Sequence, residues 1–253
     1  MAKFSADIDM SIWGKILGGA TGFAFGGPIG AIVGAVAGHA VDKYRAAQDQ
    51  ETDGDPTKSV AFTIGVIILS AKMAKADGVV TREEVNAFKQ MFKVPEHEVA
   101  NVSRVFNQAR KDSAGFEPYA CQLADMFVGN PAVLEELLSC LAQIAHADGK
   151  IHPDELIFLE AVSDIFGLDQ AVFERVTAIE RSGADADIYQ VLGVNREISN
   201  DDLKSAYRAL VRENHPDRLI AQGLPEEFID LANKRLAAIN SAYDAVQLER
   251  GLA

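Results

Sequence analysis

The chain has 253 residues, 48% of them hydrophobic and 24% charged, which is enough apolar material for more than one packed core and excludes a disordered protein. Its formal net charge of −13 lacks the basic surplus with which proteins neutralise a phosphate backbone, so nucleic acid is not an expected partner. The two cysteines, Cys121 and Cys140, form no CxxC pair, which argues against a zinc finger or a disulfide framework and predicts free thiols in a reducing compartment.

The first stretch, Ile16 to Val41, carries no formal charge apart from any protonated His39 and is long enough to span a bilayer. Within it Gly18, Gly22, Gly26, Gly30, Gly34 and Gly38 recur every four residues, a row along one helix face. In water each glycine would weaken a helix by about 1 kcal/mol relative to alanine. In lipid the same row permits close backbone approach, so it is read as a face for membrane self-association and a homodimer contact. Trp13 and Tyr44 bracket it as interfacial aromatics. A single membrane helix is expected, the alternative being a hairpin broken at Gly26-Gly27-Pro28. Residues 1–48 are assigned to this anchor and the polar residues 49–55 to a linker.

From 56 to 181 apolar residues return at three and four, as in Val60, Ile64, Ile67, Ile68 and in Val85, Phe88, Phe92, which predicts an all-helical domain. It contains an internal repeat: AKADGVVTREEV (Ala74 to Val85) matches AHADGKIHPDEL (Ala145 to Leu156). Asp77, Gly78 and Glu84, like Asp148, Gly149 and Glu155, fall where an EF-hand loop has positions 5, 6 and 12. Positions 1 and 3, however, are Met73 and Lys75 in one copy and Ile144 and His146 in the other, so two anionic ligands are missing from each. Asp-Gly is better explained as a helix stop followed by a new helix start at Thr81 or His152. His97, His146 and His152 are expected at the surface, and no cofactor is implied.

The last region, 185–253, reads as a short helical turn closed by Gly193, then helices near Asp201–Glu213 and Glu226–Leu248. Leu203, Ala206, Tyr207, Leu210 and Val211 form one apolar face of the first, and Lys204, Arg208 and Arg212 a basic stripe beside it. Phe228, Leu231, Ala232, Ile239, Ala242, Tyr243 and Val246 are expected to close an antiparallel hairpin against that face. Between the helices stands ENHPDR. Pro216 cannot continue a helix and drives His215 out of the α region, so His215 and Asp217 sit at a corner where the basic stripe ends. That corner has neither the third orienting group and dry pocket of a hydrolase nor the ligand count of a metal site. Contact with another protein is the remaining reading.

DIYQVLGV, LKSAYRALVRENHPDR and INSAYDAV resemble, in order, the signatures of the J domain of DnaJ-type co-chaperones. The resemblance implies that His215, Pro216 and Asp217, with Lys204, Arg208 and Arg212, bind a DnaK-type ATPase and stimulate it, while this chain hydrolyses nothing. The inserted RLIAQGLPEEF, the C-terminal placement and the N-terminal IWGKILGG and GHAVDK resemble more narrowly the membrane-anchored DnaJ-like protein A (DjlA) family. The DG repeat is similar to the TerB-like helical domain, which implies a module that binds a protein client or weakly binds metal through Asp77, Glu84, Asp148 and Glu155.

The expected function is thus a membrane-tethered co-chaperone in the bacterial inner membrane, both globular domains facing the cytoplasm where DnaK works. The alternative is a stress-response or metal-sensing scaffold centred on the TerB-like domain. Calorimetry separates them: with two ligands missing per loop, calcium affinity is expected no tighter than millimolar. A micromolar isotherm that disappears in Glu84→Gln would favour the sensor.

Overall fold

The structure is a computed structural model that describes residues 26–37, 56–76, 98–182 and 186–252, with residues 85, 86, 88, 89, 94 and 96. Among the described residues every regular element is helical. The elements are α1 (Gly27–Ala37), α2 (Pro56–Ala76), α3 (Val99–Lys111), α4 (Glu117–Met126), α5 (Pro131–Ala145), α6 (Pro153–Ile165) and α7 (Gln170–Ser182). They are followed by α8 (Ile188–Val191), α9 (Asn200–Glu213), α10 (Pro216–Ala221), a 3-10 turn at Glu226–Phe228 and α11 (Ile229–Glu249).

Helix α2 is the axis of the middle domain. It is buried on every side from Val60 to Ala74, as a helix apolar all round must be, and packs against α3, α4, α5 and α6. Gly65 permits the approach of α4, since a Cβ there would lie 2.7 Å from Leu123 Cδ2. Thr57–Lys75 is long and apolar enough to cross a membrane, yet 83% of that window is covered by protein. The one charge drawn inside, Lys72, is fully engaged. Its Nζ donates to the Ala114 carbonyl at 2.7 Å and to Asp112 Oδ2 at 2.9 Å, and lies 5.0 Å from the centre of the Tyr119 ring. The Tyr119 hydroxyl donates to the same carboxylate at 2.7 Å. Those two donors hold the Asp112 carboxyl below its usual range, and burial together with Asp112 pushes the Tyr119 phenol up.

The N-terminal segment departs from the single helix expected between Trp13 and Tyr44. Gly26 and Gly27 have φ of 54° and 57°, a left-handed step that a continuous right-handed helix cannot contain. Helix α1 therefore starts afresh at Gly27, with Pro28 in its first turn. Ile29, Ile32 and Val33 are buried, and the helix packs on α3 and α4. Gln122 fixes its start: Oε1 accepts the Ile29 N–H at 2.9 Å and Nε2 donates to the Gly26 carbonyl at 3.2 Å. Of the glycine row, Gly30 is half-buried and Gly26 and Gly34 are exposed; Gly18, Gly22 and Gly38 lie outside the described residues.

The C-terminal helices do not form the self-contained hairpin expected. Helix α11 has 21 residues and α9 only 14, so α9 is too short to cover its partner. Ile239, Ala242 and Val246 pack with Leu203, Leu210 and Tyr189, as anticipated. Phe228, Leu231 and Ala232 instead join Leu219 and Leu224 in the core of the middle domain. Phe228 meets Phe62 of α2 edge-on at 4.7 Å between ring centres. Gly223, at φ 111°, passes so close to α2 that a Cβ would lie 2.6 Å from Lys58 Cβ.

Beside that contact Arg235, 4% exposed, enters a buried charge cluster. Its Nη2 lies 2.6 Å from Glu136 Oε2, and its Nη1 3.4 Å from Glu135 Oε1 and 3.0 Å from Ser139 Oγ. Arg175 donates to both oxygens of Glu135, at 2.9 and 3.0 Å. Burial alone would raise the Glu135 carboxyl, but Arg235 and Arg175 hold it low. Burial pushes Glu136 up against the pull of Arg235, and burial with the nearby Glu136 charge pushes Glu180 up to about 7. Removing one partner of such a cluster leaves buried charge uncompensated, at a cost of about 3–5 kcal/mol. Arg235→Ala is accordingly expected to lose that much stability in urea unfolding of the detergent-solubilised full chain, against less than about 0.5 kcal/mol for the surface change Arg208→Ala. Equal losses for the two variants would mean that the cluster does not hold the domains together.

Candidate functional site

The corner at His215 is built by the ends of two helices. Helix α9 starts on Ser199, whose Oγ accepts the Asp202 N–H at 3.1 Å, and carries Asp201 and Asp202 in its first turn and Arg212 in its last. It stops at Asn214, which is buried, and whose backbone N–H and side-chain Nδ2 both donate to the Leu210 carbonyl at 2.9 Å. His215 then takes extended dihedrals (φ −68°, ψ 128°), the conformation that a following proline imposes.

The tripeptide does not stay a loop, however. Pro216 is the first residue of α10, and His215 is its N-cap, Nδ1 accepting the Asp217 N–H at 3.2 Å. In that arrangement Nδ1 is the acceptor, which leaves the proton of a neutral imidazole on Nε2. The two side chains are 51% and 88% exposed and 3.8 Å apart, too open for a shielded acid/base pair.

Lys204, Arg208 and Arg212 are all exposed along α9. Lys204 and Arg208 make no ion pair among the described residues, and Arg212 reaches only its neighbour Glu213 at 3.9 Å. A shallow groove runs beside Tyr207, Arg208, Val211, Arg212 and His215, and Arg218 closes its far side. Four of the six residues singled out in the sequence, Arg208, Arg212, His215 and Asp217, line this groove, while Lys204 is exposed one turn before Arg208 on α9 and Pro216 is the partly buried first residue of α10. The structure adds Val211 and Arg218, and a brace beneath them: the rings of Tyr207 and Tyr243 stack 3.8 Å apart and 5° from parallel, and Tyr207 donates to Asn240 Oδ1 at 3.0 Å. Arg218 could have been found in the sequence, being adjacent to the tripeptide; the tyrosine stack could not, since it depends on helix register.

The base of the hairpin is pinned by Arg250. Its guanidinium donates to the Arg196 and Ile198 carbonyls at 2.7 and 2.8 Å and lies over the Tyr189 ring. Gly193, at φ 63°, closes α8 where the sequence places the turn.

Of the four acidic residues of the DG repeat, only Asp148 and Glu155 are among the described residues; Asp77 and Glu84 lie outside them. In the second copy Asp148 Oδ1 accepts the Lys150 N–H at 3.1 Å and Oδ2 meets His152 Nε2 at 3.1 Å, contacts that hold its carboxyl below the usual range. Gly149 turns left-handed at φ 98°, and Glu155 Oε2 accepts the His152 N–H at 2.8 Å at the start of α6. Glu155 is buried in that capping role. His146 and His152 are partly buried rather than fully exposed, and His97 lies outside the described residues. Cys121 is exposed and Cys140 buried, both as free thiols.

Comparison with known proteins agrees with this order of parts. The family model described as "Co-chaperone DjlA transmembrane domain" matches residues 10–54, "Tellurite resistance protein TerB" residues 63–178 and "DnaJ domain" residues 187–249. Curated proteins named "Co-chaperone protein DjlA" are similar along nearly their whole length. The one from Photobacterium profundum is 29% identical over 276 residues, covering 95% of this chain and 99% of its own. That from Vibrio cholerae is 29% identical over 283 residues (96% and 100%), and that from Escherichia coli K12 25% identical over 269 (96% and 99%). No solved structure matches. With DjlA transmembrane, TerB and DnaJ domains in that order and similarity to proteins named Co-chaperone protein DjlA along nearly the whole chain, the protein has the make-up of a membrane-associated J-domain co-chaperone of the DjlA type.

Proposed function

We propose that the chain stimulates ATP hydrolysis by a DnaK-type chaperone, using His215, Pro216 and Asp217 together with Lys204, Arg208 and Arg212, and brings that chaperone to clients selected elsewhere in the chain. The observation that carries the proposal is the exposed chemistry of this face: its cations are exposed, its aspartate is almost fully so, and the histidine, although its Nδ1 caps α10, is half-exposed and outside the core. Contact with an acidic partner surface is what such a face can do. The scaffold alternative finds less support, because Glu155, one of its presumed ligands, already caps α6.

His215→Gln is expected to keep the helical fold, with a melting loss no larger than a lost helix cap gives, and to abolish stimulation in single-turnover ATPase assays with purified DnaK; undiminished stimulation would sink the docking reading. Arg208→Glu is expected to lose affinity at low salt, with the deficit shrinking as salt rises, because exposed charges are screened over about 10 Å at 0.1 M.

We infer further an inner-membrane protein whose residues 45–253 are cytoplasmic, since a DnaK-type partner works with ATP in the cytosol; self-association through the glycine row, Gly18 to Gly38, rests on its four-residue spacing alone, because the left-handed step at Gly26 and Gly27 interrupts one continuous helix face. Protease added outside spheroplasts should leave the J domain intact. Cleavage of the J domain under those conditions would reverse the orientation, and recovery of the protein in the soluble fraction without detergent would remove the anchor.

A further inference from the structure

A cavity of about 270 Å³ opens in the middle domain between α2, α3 and the residues around Phe88. It lies apart from the His215 face and from every packing contact with the J domain described above. Met73, Val102 and Phe106 furnish its inner wall, and Phe88 and Val94 face them. For scale, an engineered apolar cavity of about 150 Å³ already stays dry and admits benzene. This larger space suits a flexible chain better than a single ring, and methionine lets its wall adapt.

Two observations show that the cavity is more than a packing defect. Ser70, 3% exposed, lines it, and its hydroxyl has no hydrogen-bond partner. A buried hydroxyl without a partner costs free energy that a polar ligand atom would recover. In addition, Lys89 and Arg110 border the cavity, are exposed, and form no ion pair among the described residues. Glu155 also borders it, but its carboxylate is committed to the His152 N–H. In a chain of net charge −13, Lys89 and Arg110 are, among the described residues, the charges bordering this opening that no ion pair or cap engages.

We propose that this cavity binds the acyl chain of a medium-chain fatty acid, with the carboxylate held by Lys89 and Arg110. Apolar walls of this length exclude small polar metabolites, and two free cations at the rim select an anionic head group over a neutral one. The proposal is independent of the DnaK-binding reading, because none of these residues lies on the His215 face.

The test uses the full chain in lipid nanodiscs with [13C-methyl]methionine. Met73 lies in the cavity wall, so its methyl resonance, assigned by its loss in Met73→Leu, reports occupancy and ignores fatty acid dissolved in the bilayer. Decanoate should shift the Met73 signal saturably. The Lys89→Gln/Arg110→Gln double variant should weaken the apparent affinity about tenfold, and decanol should bind the wild type correspondingly less well. Ser103→Trp, at the exposed rim, should block the shift without disturbing the core. A Met73 signal that does not saturate, or that responds equally in wild type and Ser103→Trp, overturns the proposal. So does a response to lysophosphatidylglycerol with none to decanoate, which would assign the site to a phospholipid.

Discussion

The arrangement of the molecule depends on α11 being longer than the helix it pairs with. At ~3.6 residues per turn, about six turns cannot be covered by about four, so Leu231 and Ala232 in the first half of α11, with Phe228 just before it, must be buried elsewhere, and the middle domain offers α2 for the purpose. Arg235 makes the junction specific. A guanidinium with two glutamates inside the protein gains little over an apolar contact of the same size, but it tolerates only one register, since any slip along the helix strands charge in the core. The two domains are thereby fused through a shared core, and the His215 corner inherits its orientation from α2.

This fusion changes what the tripeptide can be thought to do. In an independent hairpin the corner would tumble on a tether and search for its partner alone. Here α9 is braced below by the Tyr207–Tyr243 stack and at its base by Arg250, so its cation row is presented by a body that includes the whole middle domain. Preorganisation of this kind lowers the ordering cost of any association at this face, and it fixes which side of the middle domain lies beside the His215 corner.

Much of the C-terminal region was legible because local chemistry determines it. Pro216 allows His215 one region of backbone space, Gly193 ends α8 because the turn needs positive φ, and the period of α9 separates its apolar and basic faces. The division of α11 between two cores was not legible, since Phe228 and Ile239 have the same helical periodicity and differ only in what lies opposite. Nor was Arg235: in sequence it stands beside Lys234 as one more surface cation. In the middle domain the Asp-Gly turn and the helix start at His152 could be read from residue type, whereas the cavity arises where nonadjacent segments fail to fill space, which no periodicity reports. At the N-terminus Gly26-Gly27-Pro28 held the signal for the backbone break at which α1 starts.

Helix α2 sets a problem of timing during biosynthesis. The ribosome releases two apolar stretches in succession, 16–41 and 57–75, and the helices that cover the second are completed only when residue 165 has emerged. At ~5–20 residues per second those ninety residues take about 5–18 s, ample time for an insertion machine to sample the exposed segment. Lysine distinguishes the two. Lys58, Lys72 and Lys75 fall within the second stretch and none within the first, and a lysine deep in a membrane helix opposes insertion by ~2.5–3.5 kcal/mol. Lys72, satisfied by Asp112 and Ala114 once the domain has folded, is thus a charge that the second stretch carries and the first lacks.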